Sequence, residues 1–164
     1  MAAPILYHLK GKRVFVAGHN GMVGSALVNR LRAEDCEIML APRRSLDLRR
    51  QADVEAWFAA HKPQAVIHAA GTVGGIWANR TRPAEFIYDN ILMTSNVIDA
   101  SYRSDVEKLL FLGSSCIYPK MAPQPIQEGD LLSGPLEETN AWYAVANKDK
   151  QVWLMRAPEV LCGR

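Results

Sequence analysis

An α/β fold built on a doubly wound parallel sheet is the architecture this sequence predicts, and two observations carry it. Four short apolar runs, at 12–18, 37–42, 64–71 and 108–115, lack the polar alternation of a sheet with one wet face. Strands buried on both faces read this way. Stretches of helical periodicity lie between them, so strand and helix alternate as in parallel crossover units. Right-handed crossovers then leave few arrangements.

The first run, "KRVFVAG" (12–18), is β-branched and stops at Gly18, which marks a buried strand. "MVGSALVNRLRAE" (22–34) repeats Val23, Leu27 and Leu31 at helical spacing. "EIMLAP" (37–42) is a second strand, stopped by Pro42. "QADVEAWFAAHK" (51–62) is a helix with Val54, Trp57 and Phe58 on one face. "QAVIHAAG" (64–71) is a third strand, without a polar face until His68. A long helix follows Pro83 through 84–104, and "KLLFLGSS" (108–115) is the fourth strand. The expected sheet is Rossmann-like, with strand order 3-2-1-4. The Pro- and Gly-rich segment 116–138 is long enough to be functional.

Composition narrows the classes of function. A chain of 164 residues suits one domain with a real core. Its 49% hydrophobic and 22% charged content is ordinary for a soluble protein. A net charge of +2 is too small for a nucleic-acid or polybasic membrane partner. No apolar run approaches the ~20 residues of a bilayer span, and the N-terminus lacks a signal-peptide layout. Cys36, Cys116 and Cys162 are odd in number and widely spaced. They form neither a disulfide framework nor a zinc pattern, so no metal site is expected and a reducing cytoplasm is favoured.

The strongest local motif is "GHNGMVG", with Gly18, Gly21 and Gly24 between a strand and a helix. Gly18 permits the sharp turn, Gly21 lets backbone amides approach a pyrophosphate, and Gly24 lets the helix pack close to the strand. The helix N-terminus then turns free N–H groups and its dipole to the phosphates. A merely tight turn is the plainer alternative. After the second strand, an acid would hold ribose hydroxyls and an arginine a 2′-phosphate. "APRRSLDL" offers Arg43 and Arg44 with no acid before Asp47, which favours NADP over NAD against the alternative of two solvated arginines. Asp47 and Leu48 sit where a loop borders an adenine. His19 reads as a packing or surface residue and His68 as a hydrogen-bonded core residue.

"GSSCIYP" (113–119) lies at the carboxyl end of the fourth strand, where open α/β sheets bind ligands. The Ser114 hydroxyl suits a carbonyl or hydroxyl undergoing hydride transfer. Cys116 suits an acid or base if its pKa is tuned, but taken alone a cysteine is more often a small buried residue. In "YAVANKDK" (143–150), Tyr143 opens a helix and invites comparison with a tyrosine–lysine proton relay. That relay needs lysine at i+4, roughly 40° around the helix from the tyrosine, where this chain has Asn147. Lys148, at i+5, points roughly 140° away and reaches Tyr143 only across a bulge. Asn147 can hydrogen-bond a ribose but brings no charge to a tyrosinate.

"GHNGMVGSAL", "AAGTVGGI", "PAEFIYDN", "LLFLGSSCIYPK", "QPIQE" and "ETNAWYAVA" together resemble GDP-L-fucose synthases, epimerase–reductases of the extended short-chain dehydrogenase/reductase group. The resemblance runs from Lys12 to Ala146. It implies NADPH as cofactor and a GDP-sugar substrate, GDP-4-keto-6-deoxymannose, epimerised at two carbons and then reduced. It implies that Ser114 polarises the substrate oxygen, Cys116 is an acid or base of the epimerisation, and Tyr143 donates the proton of the reduction. The cofactor contacts it implies are Gly18, Asn20, Gly21, Met22, Val23, Gly24, Arg43, Ala69, Ala70 and Gly71. Asn20 stands where the family often has a basic residue, so one phosphate contact is expected to be missing.

Residues 1–146 are therefore expected to form an NADP-binding domain, and 147–164 a divergent helical tail. Later strands and the substrate lobe are expected to be missing, through a shifted reading frame or an alternative terminus after codon 146; family-like sequence in another frame of the gene would test this. An apolar edge on the fourth strand then invites homo-oligomers or aggregation, and little or no activity is expected of the chain alone. An NADP-binding module without turnover is one alternative. Another nucleotide-sugar epimerase or dehydratase is the second, and the cysteine in "SSCIYP" argues against it.

Overall fold

The computed structural model describes residues 7–131 and 133–147. Four strands, β1 (Arg13–Ala17), β2 (Glu37–Met39), β3 (Ala65–His68) and β4 (Lys108–Phe111), form one sheet whose pairings are all parallel. Helices α1 (Met22–Leu31), α2 (Gln51–His61), α3 (Ile76–Thr81) and α4 (Pro83–Arg103) connect them. The chain divides into two compact units, Met1–Ala70 with Ser95–Leu112 and Gly71–Thr94 with Gly113–Arg164. The sheet lies wholly in the first.

The pleat of β1 sorts the core of the first unit into two layers. Val14 and Val16 pack with Val28 and Leu31 of α1. Phe15 and Ala17 pack with Val54 and Phe58 of α2 and with Val97 and Ala100 of α4. Phe15 meets Phe58 edge-on at 6.0 Å between ring centroids and Trp57 at 4.2 Å. Burying each such side chain contributes roughly 1.5–3 kcal/mol. Helices thus cover both faces, as the unbroken apolar runs required. His68 is buried and stacks on Phe111 at 4.5 Å.

The sheet order is β2-β1-β3-β4, so in chain order the strands run 2-1-3-4 and not 3-2-1-4. Burial explains the difference. β3 is enclosed almost throughout and needs a partner on each side, whereas β2 is partly exposed and tolerates an edge. Registers Val14↔Ala65 to Ala17↔His68 place β3 directly beside β1. The strands are also shorter than their apolar runs, because the pairing of β2 ends at Met39 and that of β4 at Phe111.

Two further readings are corrected. The buried face of α1 is Gly24, Val28 and Leu31, and Val23 is exposed. Gly24 must face the strand, and the residues four and seven beyond it share that face. α3 escaped the sequence reading because its six residues, Ile76–Thr81, are too few to show a period. β4 is an edge strand with alternating burial, and Leu110 on it is exposed. Among the described residues no helix is long and apolar enough to cross a membrane. Of the expected tail 147–164, all but Asn147 lies outside the described residues.

Candidate functional site

In the first unit the parallel strands end on one rim, and the glycine turn leaves β1 there. Gly18 has φ +84°, a left-handed conformation, and an added Cβ would lie 2.6 Å from the Ala70 amide nitrogen. A Cβ on Gly24 would lie 2.1 Å from the Gly18 carbonyl oxygen, so helix and turn touch through backbone alone. Gly21 differs: its Cβ would meet only that oxygen, at 3.3 Å. Internal packing presses on position 21 far less than on 18 or 24, and its backbone lies exposed.

Gly21 caps α1 without a side-chain hydrogen bond, and the first helical bond runs from Ser25 N–H to the Gly21 carbonyl at 2.9 Å. The N–H groups of residues 22–24 precede that bond and have no partner within the helix. The first turn holds no acidic residue, and Asn20, Met22 and Val23 are exposed. This is the electrostatic form of an anion site. Beside it, the Ala69 N–H donates to the Ala17 carbonyl at 2.9 Å, which brings Ala69 and Ala70 against Gly18.

Beyond β2 the loop carries Arg43 and Arg44, both exposed. Asp47 accepts from Arg49 Nε at 3.0 Å, Arg49 Nη2 at 2.7 Å and the Arg49 backbone N–H at 3.1 Å. These bonds, aided by the nearby Arg43 charge, lower its pKa to about 2 against the resistance of burial. Leu48 packs on the α2-side core, and its carbonyl accepts from Asn96 Nδ2 at 2.9 Å. Asp47 and Leu48 thus shape and anchor the loop from which Arg43 projects.

In the second unit the segment 71–75 is held from inside. Asn90 Oδ1 accepts the Thr72 N–H at 2.9 Å, and Asn90 Nδ2 donates to the Thr72 carbonyl at 2.9 Å and the Phe86 carbonyl at 2.7 Å. Asn79 Nδ2 donates to the carbonyls of Gly74 and Gly75 at 2.9 and 3.2 Å. Gly71 lies against the Asn90 amide, where a Cβ would stand 3.2 Å from Oδ1. Sequence reasoning missed both asparagines. The signal for Asn90 was a polar residue on the face Phe86, Asn90, Thr94 and Val97, all of which are buried.

The same unit gathers the hydroxyl and thiol residues. Ser114 precedes the 3₁₀ turn Ser115–Ile117, whose Ile117 is fully buried and anchors it. Cys116 Sγ donates to Ser114 Oγ at 3.2 Å. Burial raises the Cys116 pKa, opposed by hydrogen bonds from Ser114 and Asn140. Tyr143 lies on the helical run 141–147. Burial raises its pKa first and the Cys116 sulfur next, while hydrogen bonding from Asn147 and Ser114 opposes both. Burial thus favours the neutral, proton-bearing forms of the phenol and the thiol. Run 141–147 is regular helix, so Asn147 shares the face of Tyr143, and its Nδ2 donates to the Tyr143 carbonyl at 2.8 Å. Lys148 lies outside the described residues.

Comparison with known proteins finds matches over most of the chain. The model of the NAD dependent epimerase/dehydratase family matches residues 14–157. The GDP-L-fucose synthase of Sinorhizobium fredii is 62% identical over 141 residues, 86% of this chain and 45% of that protein. The GDP-L-fucose synthase of Escherichia coli is 52% identical over 136 residues, 82% of this chain and 42% of that protein. Among solved structures, a GDP-mannoheptose C4 reductase from Campylobacter jejuni with NADP bound superposes with a TM-score of 0.87 at 32% identity, over 93% of this chain and 48% of the other. The chain thus spans under half the length of these relatives.

Proposed function

The chain belongs to the NAD dependent epimerase/dehydratase family, and on that premise we propose that it carries the cofactor turn and proton-transfer groups of a GDP-L-fucose synthase. The reaction is NADPH-dependent epimerisation and reduction of GDP-4-keto-6-deoxymannose. The observation that carries this reading is the convergence of Ser114, Cys116 and Tyr143, with sulfur and hydroxyl 3.2 Å apart and the phenol within their influence. A cofactor alone needs no thiol there; a substrate that exchanges protons at carbon does.

The first unit fits a dinucleotide. Gly18 and Gly24 let strand, turn and helix close on one another through backbone alone, and the N–H groups of residues 22–24 suit a pyrophosphate. Gly21, Ala69 and Ala70 present backbone to it, and exposed Arg43 suits a 2′-phosphate, so NADP is the preferred cofactor. Asn20 offers an uncharged side chain in that turn. When bound, NADPH supplies the hydride. Ser114 donates a hydrogen bond to the substrate carbonyl oxygen, and Tyr143 gives its phenolic proton to the alkoxide that develops there. Cys116 exchanges a proton with substrate carbon. Asn147 brings no charge to the phenolate left behind, so proton donation by Tyr143 is weakly driven.

That same Asn147 favours a second reading, a module that binds NADP without turnover. One experiment separates the two: NADPH oxidation with GDP-4-keto-6-deoxymannose, run beside an NADPH-binding titration. Binding with slow, Tyr143-dependent oxidation supports the enzyme. Binding without oxidation supports the module, and no binding removes both.

A further inference from the structure

The parallel strands of the first unit also begin on one rim, opposite the glycine turn, and there three side chains converge on a single carboxylate. Lys12 Nζ donates to Glu107 Oε1 at 2.9 Å and pairs with Oε2 at 2.7 Å. Gln64 Nε2 donates to Oε1 and Tyr7 OH to Oε2, both at 3.0 Å. Lys12 immediately precedes β1, Gln64 β3 and Glu107 β4, so the carboxylate joins the starts of three strands. Residues 7–10 lie against this layer as a short strap, with Tyr7 and Leu9 packed on Val14, Val16, Val28 and Leu31. The chain then turns at Gly11, whose φ is +70° and whose added Cβ would have nothing within 4 Å. The Lys12 N–H closes that turn on the Leu9 carbonyl at 2.9 Å, and the Gly11 N–H donates to the Asp35 carbonyl at 2.6 Å. Among the described residues, the Tyr7–Glu107 bond is the one hydrogen bond from residues 7–10 to any segment beyond this turn.

We propose that Glu107 is the latch of a hinged strap: residues 7–10 swing about Gly11 and bare the α1-side core when the carboxylate lets go, while the sheet stays folded. The latch depends on charge. A carboxylate only accepts, and here its two oxygens serve an ammonium, a phenol and an amide at once. An amide in its place keeps one acceptor oxygen and turns N–H groups toward these donors. Lys12 lowers the Glu107 pKa against the resistance of burial, with Tyr7 and Gln64 adding to it, so the latch is ionised at neutral pH. The cluster is exposed on its outer side, where bonds of this kind are individually weak. Opening the strap therefore costs far less than parting the strands, which share registered ladders and buried valines.

The test is limited trypsin digestion of the chain at neutral pH, with the cut sites mapped by peptide mass analysis. A cut after Lys10 reads the open strap, and a cut after Arg30, inside α1, reads general unfolding. Glu107→Gln should speed the cut after Lys10 about tenfold and leave the cut after Arg30 unmoved. Tyr7→Phe removes only the strap's own bond and should speed the first cut about threefold. It carries the test where Glu107→Gln does not fold. Unchanged cutting after Lys10 in either folded variant overturns the proposal. An equal rise after Arg30 overturns it too, because the cluster would then hold the whole unit together and not the strap.

Discussion

The glycine turn of the first unit and the hydroxyl–thiol cluster of the second are specified in opposite ways. At Gly18 and Gly24 the geometry depends on missing atoms, since a Cβ would run into backbone at 2.6 and 2.1 Å. Backbone does not rotate away, so these positions admit one residue type. At Ser114, Cys116 and Tyr143 the geometry depends on atoms that are present, each tuned by burial and neighbouring hydrogen bonds. Such positions accept substitution without collapse, and their chemistry changes by degrees. On the proposed function, binding of a phosphate by backbone would be nearly all-or-none, while proton transfer by side chains would be adjustable.

The largest expected effect breaks the turn. Gly24→Ala should destabilise the protein by about 3 kcal/mol in urea unfolding and weaken NADPH binding by about 100-fold or more. Gly129→Ala, where nothing lies within 4 Å of the added carbon, should stay within about 0.5 kcal/mol. Equal effects at the two glycines would remove the contrast. At the cluster, Asn147→Lys sharpens it by returning a cation to the face of Tyr143. The phenol should then ionise about one to two pH units lower, read by ultraviolet titration against a Tyr143→Phe background, with NADPH binding little changed. An unmoved phenol would show that residue 147 does not govern it.

Arg43→Ala asks how much of the first site is side chain after all. NADPH should bind about tenfold more weakly, with NADH affinity unchanged, because one charged hydrogen-bonding partner of a 2′-phosphate is lost. Smaller still is Asp47→Asn, expected to cost about 1 kcal/mol at pH 7 after screening of this part-exposed pair. The folded pKa of about 2 lies below the ordinary 3.8. The contribution is therefore present above pH 3.8, is lost as pH falls towards 2, and the variant should match wild type in that acid range. Last, Leu110→Lys on the exposed edge β4 should alter stability by no more than about 0.5 kcal/mol. It should still reduce self-association measured by sedimentation, since a lysine on an edge strand opposes edge-to-edge pairing.

Much of this was legible in the residues. The four strands, three of the helices and the glycine turn follow from apolar runs, helical spacing and the position of glycine between a strand and a helix. The i+4 rule placed Asn147, and not Lys148, on the face of Tyr143. Other features were not legible. The apolar run 37–42 says nothing of where pairing stops, and it stops at Met39, opposite Phe15, although β1 itself continues to Ala17. Asn79 and Asn90 looked like ordinary helix residues, because their importance lies in backbone atoms brought to them by folding. Asp47 reads as a cofactor contact, and the sequence did not show that its carboxylate also bonds Arg49 two residues away.

What the chain alone determined is what depends on near neighbours: element type from periodicity, the turn from its glycines, and the residue facing Tyr143 from helix geometry. What folding alone decided is what depends on distant segments meeting. It set the place of β3 between β1 and β4, the pinning of residues 71–75 by buried amides, and the meeting of Asn96 with the Leu48 carbonyl. The reason is physical. Local preferences are written in dihedral angles and spacing over a few residues, whereas strand order and hydrogen-bond partners are chosen by which surfaces can be buried together.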